Sequence, residues 1–328
     1  MKVFLFPGQG SQEIGMGADL FKSDSSFRQL IELASGWVGE DLEPICLRGP
    51  EKKLLRARLL QPLLVAVSLG YLRRLNESGV QPDLVLGHSL GEITALAAAG
   101  VVTPTEAVRI AARRGELMEE AAASVDGGML AVTLNERGRL LDWITSIQAD
   151  HQMALANDNA PTQLVLSGSR AALAACAEFI SKEKLGKSRL LAVSGPWHSP
   201  FMTQAATRFE AWLRQLPLQP PRLPILFNGT AAPTEDTAEI CRLIGSAPAR
   251  PVQWTGCMAA VRAMNPRWLF EVGPGRVVSG LARANGIGDQ ARIFPCGNLR
   301  GVDLAAQAHF AVAPEPCPVT SPLLRSGL

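Results

Sequence analysis

Residues 82–92 read Pro-Asp-Leu-Val-Leu-Gly-His-Ser-Leu-Gly-Glu, and the order of residue types in this stretch decides the fold. Leu84-Val85-Leu86 is a short apolar run between turn-forming residues, the pattern of a strand buried on both faces of a parallel sheet. Gly87-His88-Ser89-Leu90-Gly91 matches the Gly-x-Ser-x-Gly turn, and the Ala-rich residues 92–100 predict a helix able to pack closely on a sheet. In that context the flanking glycines permit a sharp bend that holds the Ser89 hydroxyl out at the strand end, where the next helix aims free amides at any anion. The alternative is a Gly-rich connection carrying an incidental serine.

Working outward, the same grammar recurs. Residues 3–6 are β-branched and aromatic and are broken by Pro7-Gly8-Gln9-Gly10-Ser11-Gln12, while residues 59–78 form a long helical stretch leading into the strand just described. Thr103-Pro104-Thr105-Glu106 has the form of a capping box with Pro at the first helical position, and opens a helix to about residue 123. This alternation predicts an α/β fold with a parallel sheet.

From Gly127 the pattern changes. Strand-like residues 129–134, 153–156, 163–167 and 189–193 alternate with helical residues 136–148 and 170–184, with Asn157-Asp158-Asn159-Ala160-Pro161 as a turn. The order β-α-β-β-α-β is the ferredoxin-like signature. The expected organisation is a discontinuous large domain over 1–125 and 194–300, an inserted small subdomain over 126–193, and an extension over 301–328. Further strands of the large domain are expected at 224–228 and 268–272. After about residue 301 periodicity fades and Pro accumulates, so 311–328 reads as a loosely attached, partly disordered tail.

Composition excludes several classes. With 328 residues, a hydrophobic share of 47% and a formal net charge of +2, the chain can bury a large core and lacks the basic excess of an electrostatic nucleic-acid binder. Six scattered cysteines without Cys-x-x-Cys argue against a zinc site or a disulfide framework, so no metal is expected. No apolar run approaches the roughly 20 residues of a membrane span, and the first residues do not resemble an export signal, so the expectation is a cytoplasmic protein without membrane contact.

A serine is a poor nucleophile at neutral pH without a base. The four histidines are His88, His151, His198 and His309. His88 adjoins the serine and is expected to point to the opposite side of the turn, His151 follows a charged helix end, and His309 lies in the weakly patterned end. His198, in the Gly/Pro-held loop Ser194-Gly195-Pro196-Trp197-His198-Ser199-Pro200, remains as base; the alternative is a loop histidine bonded to local backbone. The Gly8–Ser11 stretch fits neither the dinucleotide fingerprint nor a P-loop, since Glu13 stands where a glycine is needed and no Gly-Lys-Ser/Thr follows. It is either a plain turn or a source of backbone amides that, with Leu90, completes an oxyanion hole. On the helix after Pro104, Arg113 has Glu106, Arg109, Glu116 and Glu120 at neighbouring offsets and faces water. Arg114 has Ala107, Ile110, Leu117 and Ala121 and faces inward, where it needs a carboxylate partner from the protein or from a substrate.

Six ordered motifs carry a resemblance that runs from residue 3 to about 300: Gly8-Gln9-Gly10-Ser11-Gln12, Gly87-His88-Ser89-Leu90-Gly91-Glu92, Arg114-Gly115-Glu116-Leu117-Met118, Asn157-Asp158-Asn159-Ala160-Pro161, His198-Ser199-Pro200 and Glu271-Val272-Gly273-Pro274-Gly275. Together they resemble the malonyl-CoA:acyl carrier protein transacylase family, which includes trans-acting acyltransferases of polyketide synthases. The resemblance implies an α/β-hydrolase-like core with a ferredoxin-like insert. It also implies transfer of malonyl from malonyl-CoA through a Ser89 acyl-enzyme to the phosphopantetheine thiol of an acyl carrier protein, in polyketide or fatty-acid synthesis. His198 would act as base and then acid, Gln9 and Leu90 amides would hold the oxyanion, and Arg114 would pair with the malonyl carboxylate. Arg114, Trp197 and His88 make up the expected substrate-binding set; no cofactor is implied, and a monomer is expected. Trp197 stands where malonyl-selective relatives carry Phe and methylmalonyl-selective ones a smaller Ser, which implies a preference for malonyl. One departure stands out: many relatives carry Gln where this chain has Ala247, so only a backbone carbonyl is left to orient His198 in a Ser-His dyad. Two rivals are an acyl hydrolase using the same dyad, against which an inward Arg114 argues, and a catalytically silent carrier-docking module.

Overall fold

The computed structural model describes residues 1–147 and 153–311. Ten strands occur among them: β1 Lys2–Phe6, β2 Leu84–Gly87, β3 Gly127–Leu134, β4 Met153–Ala160, β5 Gln163–Ser169, β6 Gly186–Leu190, β7 Ile225–Phe227, β8 Ala232–Pro233, β9 Trp268–Val272 and β10 Arg292–Cys296. They form a six-stranded sheet in the order β10-β9-β1-β2-β7-β8 and a four-stranded sheet in the order β4-β5-β3-β6.

The large sheet is parallel from β10 to β7, with β8 alone antiparallel at the edge. Its central strands are apolar on both faces because each face is covered. Phe4, Phe6, Val85 and Phe270 enter one core with the helices Ala57–Glu77 and Pro104–Ala122. Val3, Leu5, Leu86 and Leu269 enter the other, against Trp254, Met258 and Leu281. Because the four central strands run the same way, the chain leaves β1, β2 and β7 along one carboxyl edge, where loops of an open α/β sheet bind ligands.

The small sheet is antiparallel throughout and carries the helices Arg137–Ile147 and Arg170–Lys182 over its own core of Leu130, Val132, Leu166, Leu173 and Ile180. Its strand order is that of a ferredoxin-like unit, so the α/β class with a ferredoxin-like insert holds. The insert meets the large layer through the bridge between Asn157 and Val252 and the Asp158 amide donating to the Val252 carbonyl.

Three local expectations differ from the structure. Residues 157–160 belong to β4, and the turn falls at residues 161 and 162. The polar side chains that suggested a local turn are satisfied at a distance instead: Asp158 forms a bidentate ion pair with Arg137, and Asn159 is buried against His88. β-bulges after Leu155 and Asp158 let the strand carry this uneven pattern. The last small-sheet strand lies at Gly186–Leu190 rather than 189–193, a half-exposed edge strand whose Lys, Ser and Arg hide its period. The chain after residue 301 keeps its structure to Phe310 in the helix Leu299–Phe310, capped by Asn298 and docked on β10 and on helix Ala57–Glu77. His309 sits on that helix with its ring edge-on to Trp268. His151 and residues 312–328 lie outside the described residues. Among the described residues no helix is long and apolar enough to cross a membrane.

Candidate active site

β2 ends at Gly87, and the chain must reverse within four residues to start the helix Gly91–Ala98. A Cβ on Gly87 would overlap the Gly91 backbone, and one on Gly91 would overlap the Phe6 carbonyl, so both positions admit only glycine. Between them Ser89 adopts φ +52°, a left-handed conformation that costs a non-glycine residue ~1–3 kcal/mol and projects its hydroxyl from the strand edge. Asn228, which follows β7, secures the bend. Its Oδ1 accepts the Ser89 N–H at 2.7 Å, and its Nδ2 donates to the Gly87 carbonyl at 2.8 Å.

Ser89 Oγ lies 2.7 Å from His198 Nε2. His198 is also left-handed, at φ +59°, and only 5% exposed. Its Nδ1 lies 2.9 Å from the Ala247 carbonyl and 2.9 Å from the Arg250 carbonyl. Carbonyls only accept, so Nδ1 carries the proton and Nε2 presents its lone pair to the serine hydroxyl. Backbone thus takes the orienting role that no side chain at position 247 can fill. Burial, with the Arg114 charge nearby, pushes the His198 pKa down to about 3, so the neutral form that accepts a proton persists across the physiological range. The expected result is that kcat/KM for enzyme acylation stays level from pH 7 down to pH 5; stopped-flow acylation across that range checks it, and a fall centred near pH 6.5 would contradict it.

Arg114 is 2% exposed. Its Nη1 donates to Gln61 Oε1 at 2.9 Å and its Nη2 to Ser89 Oγ at 3.2 Å, and among the described residues no carboxylate pairs with it. Arg113, one residue back, forms an exposed ion pair with Glu116. Gln61 also donates to Gln9 Oε1 at 3.0 Å, fixing the turn after β1 beside the bend after β2. The amides of Gln9 and Leu90 have no hydrogen-bond acceptor among the described residues, the state required of oxyanion donors.

A cavity of about 670 Å³ opens over Ser89 and His198 between the two sheets, lined also by Gln9, His88, Trp197 and Val165. Trp197 is 3% exposed and packs with Met118, Met129 and Met202. His88 makes no hydrogen bond to Ser89; its Nε2 meets Asn159 Oδ1 at 2.8 Å and its ring lies 5.1 Å from Trp254. Among the described residues no three His, Cys, Asp or Glu side chains are grouped to hold a metal.

Ser89, His198, Arg114, Gln9 and Leu90 therefore converge, with Trp197 and His88 on the cavity wall. Sequence reasoning missed Asn228, Gln61 and Asn159 as supports of the site. Asn228 closes a β-strand much as Ser89 does, which is the one local signal for it.

The arrangement is that of a serine acyl-transfer enzyme: a nucleophile and a base on one cavity, with free amide donors and a buried cation beside the nucleophile. Residues 3–279 match the acyl transferase domain family, and the chain belongs to it. It is 32% identical over 282 residues to the malonyl CoA-acyl carrier protein transacylase of Bacillus subtilis (strain 168), a match covering 85% of this chain and 89% of the relative. The crystal structure of malonyl-CoA:acyl carrier protein transacylase from Xanthomonas oryzae pv. oryzae superposes with a TM-score of 0.88 at 33% identity, covering 94% of this chain and 98% of that one. A malonyl-transacylase in complex with a type II polyketide synthase acyl-carrier protein superposes with a TM-score of 0.87 at 29% identity, covering 94% and 99%. Within the acyl transferases, the chain belongs to the malonyl-CoA:acyl carrier protein transacylase family.

Proposed function

We propose that this enzyme moves a malonyl group from malonyl-CoA to the phosphopantetheine thiol of an acyl carrier protein, by way of an ester on Ser89, in polyketide or fatty-acid synthesis. The observation that carries the reading is Arg114: a buried guanidinium that forms no ion pair with a carboxylate among the described residues, within hydrogen-bond reach of the Ser89 oxygen. Leaving such a charge unpaired is costly, and an acyl chain that ends in a carboxylate supplies the partner the fold withholds.

In the first half-reaction Ser89 Oγ attacks the thioester carbonyl as its proton passes to His198 Nε2. The oxygen gains charge facing the Gln9 and Leu90 amides, and the C–S bond breaks as His198 returns the proton to the leaving CoA thiolate. In the second half-reaction His198 takes the proton of the carrier thiol, the sulfur attacks the serine ester, and the proton returns to Ser89. Both ends of the exchange are thioesters, so the overall step is nearly balanced and needs no cofactor. Selectivity then rests on the cavity and on exclusion of water. The site is complete within one chain, which supports a monomer. Cys46, Cys176, Cys241, Cys257 and Cys296 are free and buried, in keeping with a reducing, cytoplasmic setting.

The indole of Trp197 narrows the cavity beside the dyad and so disfavours an α-methyl branch. Trp197→Ser is expected to raise the methylmalonyl-to-malonyl acylation ratio by about 10-fold, with 200-fold as a ceiling; unchanged ratios in paired CoA-ester assays would assign Trp197 to packing alone. Transfer itself is tested by following malonyl from malonyl-CoA to a phosphopantetheinylated carrier protein. Malonyl-carrier product supports the proposal, whereas release of free malonate with no carrier product would favour an acyl hydrolase.

A further inference from the structure

β9 and β10 end on the same carboxyl edge of the large sheet as β1 and β2, and the turns that leave them, at Gly275 and Gly297, border a second cavity of about 720 Å³. It adjoins the acyl cavity residue by residue. Gln12 lines the acyl cavity and Glu13 this one; Val277 lines the acyl cavity, Gly275 this one, and Arg276 both. A ligand that leaves the acyl cavity past Gln12 and Val277 therefore enters the second cavity, whose volume is that of a small-molecule site.

The second cavity combines cationic and apolar groups. Arg276 and Arg300 are exposed, and among the described residues neither guanidinium forms a hydrogen bond or an ion pair. Arg300 stands in the first turn of helix Leu299–Phe310, where the helix dipole disfavours a cation, so the helix gains nothing from its charge. Glu13 is the one carboxylate in the lining and pairs with neither arginine, which leaves the lining net positive. The same lining holds Phe294 and Pro295 of β10, both half-buried, and Leu304, which is 53% exposed. An exposed leucine and a phenylalanine in one cavity with two unpaired guanidinium groups suit a ligand that is flat and apolar in one part and anionic in another.

Chain geometry agrees with this placement. The free amide of Gln9, assigned above to the oxyanion, is four residues from Glu13, a span of at most ~14 Å. The pantetheine arm of a CoA thioester runs about 13 bonds from sulfur to phosphorus, as many as about four residues of extended chain, or ~15 Å. A thioester held at Gln9 can thus bring its phosphates to the level of Glu13 and Arg276.

We propose that this cavity binds the phosphorylated nucleotide end of the CoA donor. Arg276, at the junction of the cavities, meets the diphosphate that ends the pantetheine arm. Arg300 meets the phosphate on the ribose, and the adenine lies against Leu304 and Phe294. A carrier protein brings a pantetheine arm but no nucleotide, so Arg300 serves the first half-reaction alone. The inference rests on the reading of malonyl-CoA as the donor.

The test follows acylation by quenched-flow mass measurement in the wild type, Arg300→Glu and Arg300→Lys, with malonyl-CoA and with malonyl-pantetheine, which lacks the phosphates and the nucleotide. With malonyl-CoA, kcat/KM of Arg300→Glu is expected to fall about tenfold, mainly through KM, and Arg300→Lys to recover most of the loss. With malonyl-pantetheine, and in transfer from preformed malonyl-enzyme to a phosphopantetheinylated carrier protein, the change is expected to stay within about twofold. The side chain is exposed, so both variants are expected to fold, and matched melting temperatures check this. Equal losses with the two donors, or no loss with malonyl-CoA, overturn the proposal. A loss confined to the carrier half-reaction also overturns it and assigns the cavity to carrier docking. Absence of any acyl-enzyme from either donor in the wild type would instead overturn the functional reading beneath it.

Discussion

Ser89→Ala is expected to lower malonyl transfer by roughly 10⁴-fold or more and to remove the covalent intermediate altogether. Ser89 Oγ is the atom that His198 Nε2 approaches at 2.7 Å and to which Arg114 donates at 3.2 Å, so the substitution removes the point at which base and cation meet. The fold should tolerate the change, because the bend is held by glycines and by the Asn228 side chain gripping the backbone at positions 87 and 89. Rates with Ser89→Ala at matched melting temperature check this, and transfer within tenfold of wild type would show that another residue carries the acyl group.

Arg114→Ala separates the substrate class from the chemistry. Truncating one partner of a desolvated charge pair typically costs ~3 kcal/mol, so kcat/KM with malonyl-CoA should drop about 10²-fold or more, whereas acetyl-CoA, with no carboxylate to lose, should suffer far less. The selectivity ratio is the informative quantity. Arg114 also donates to Gln61, which holds the Gln9 turn, and damage to that support would slow both esters alike. A uniform loss would make the arginine a structural element and remove the main argument for an acidic acyl group.

The parts of this molecule that could be read from the chain are those whose cause is local. Gly87 and Gly91 flank the nucleophile because the backbones they approach leave no room for a Cβ, and spacing alone exposes that requirement. The Thr103–Glu106 capping box forms as its residue types dictate, with each side chain bonded to the other's backbone. Helical offsets turned Arg114 inward because one charge on an apolar stripe has no other side to face.

What escaped reading depends on distant partners. Asn157, Asp158 and Asn159 have turn chemistry, yet Arg137 and His88 bind two of them into a strand. Gln61 and Asn228 look unremarkable in sequence and gain their roles only when β1, β2 and β7 end on one edge of the sheet. The helix Leu299–Phe310 was masked by the Pro-rich residues that follow it; its cap at Asn298 and its buried Val302, Ala305 and Ala306 were the available signal.

The central claim is that Ser89 and His198 form a working pair that accepts malonyl beside Arg114. Intact-mass spectrometry of the purified protein mixed with malonyl-CoA alone tests it most directly. The expected result is a rapid gain of one malonyl group, mapped to the peptide containing Ser89, absent in Ser89→Ala and discharged when a phosphopantetheinylated carrier protein is added. A wild-type protein that stays unmodified, or an adduct that survives the loss of Ser89, would contradict the account.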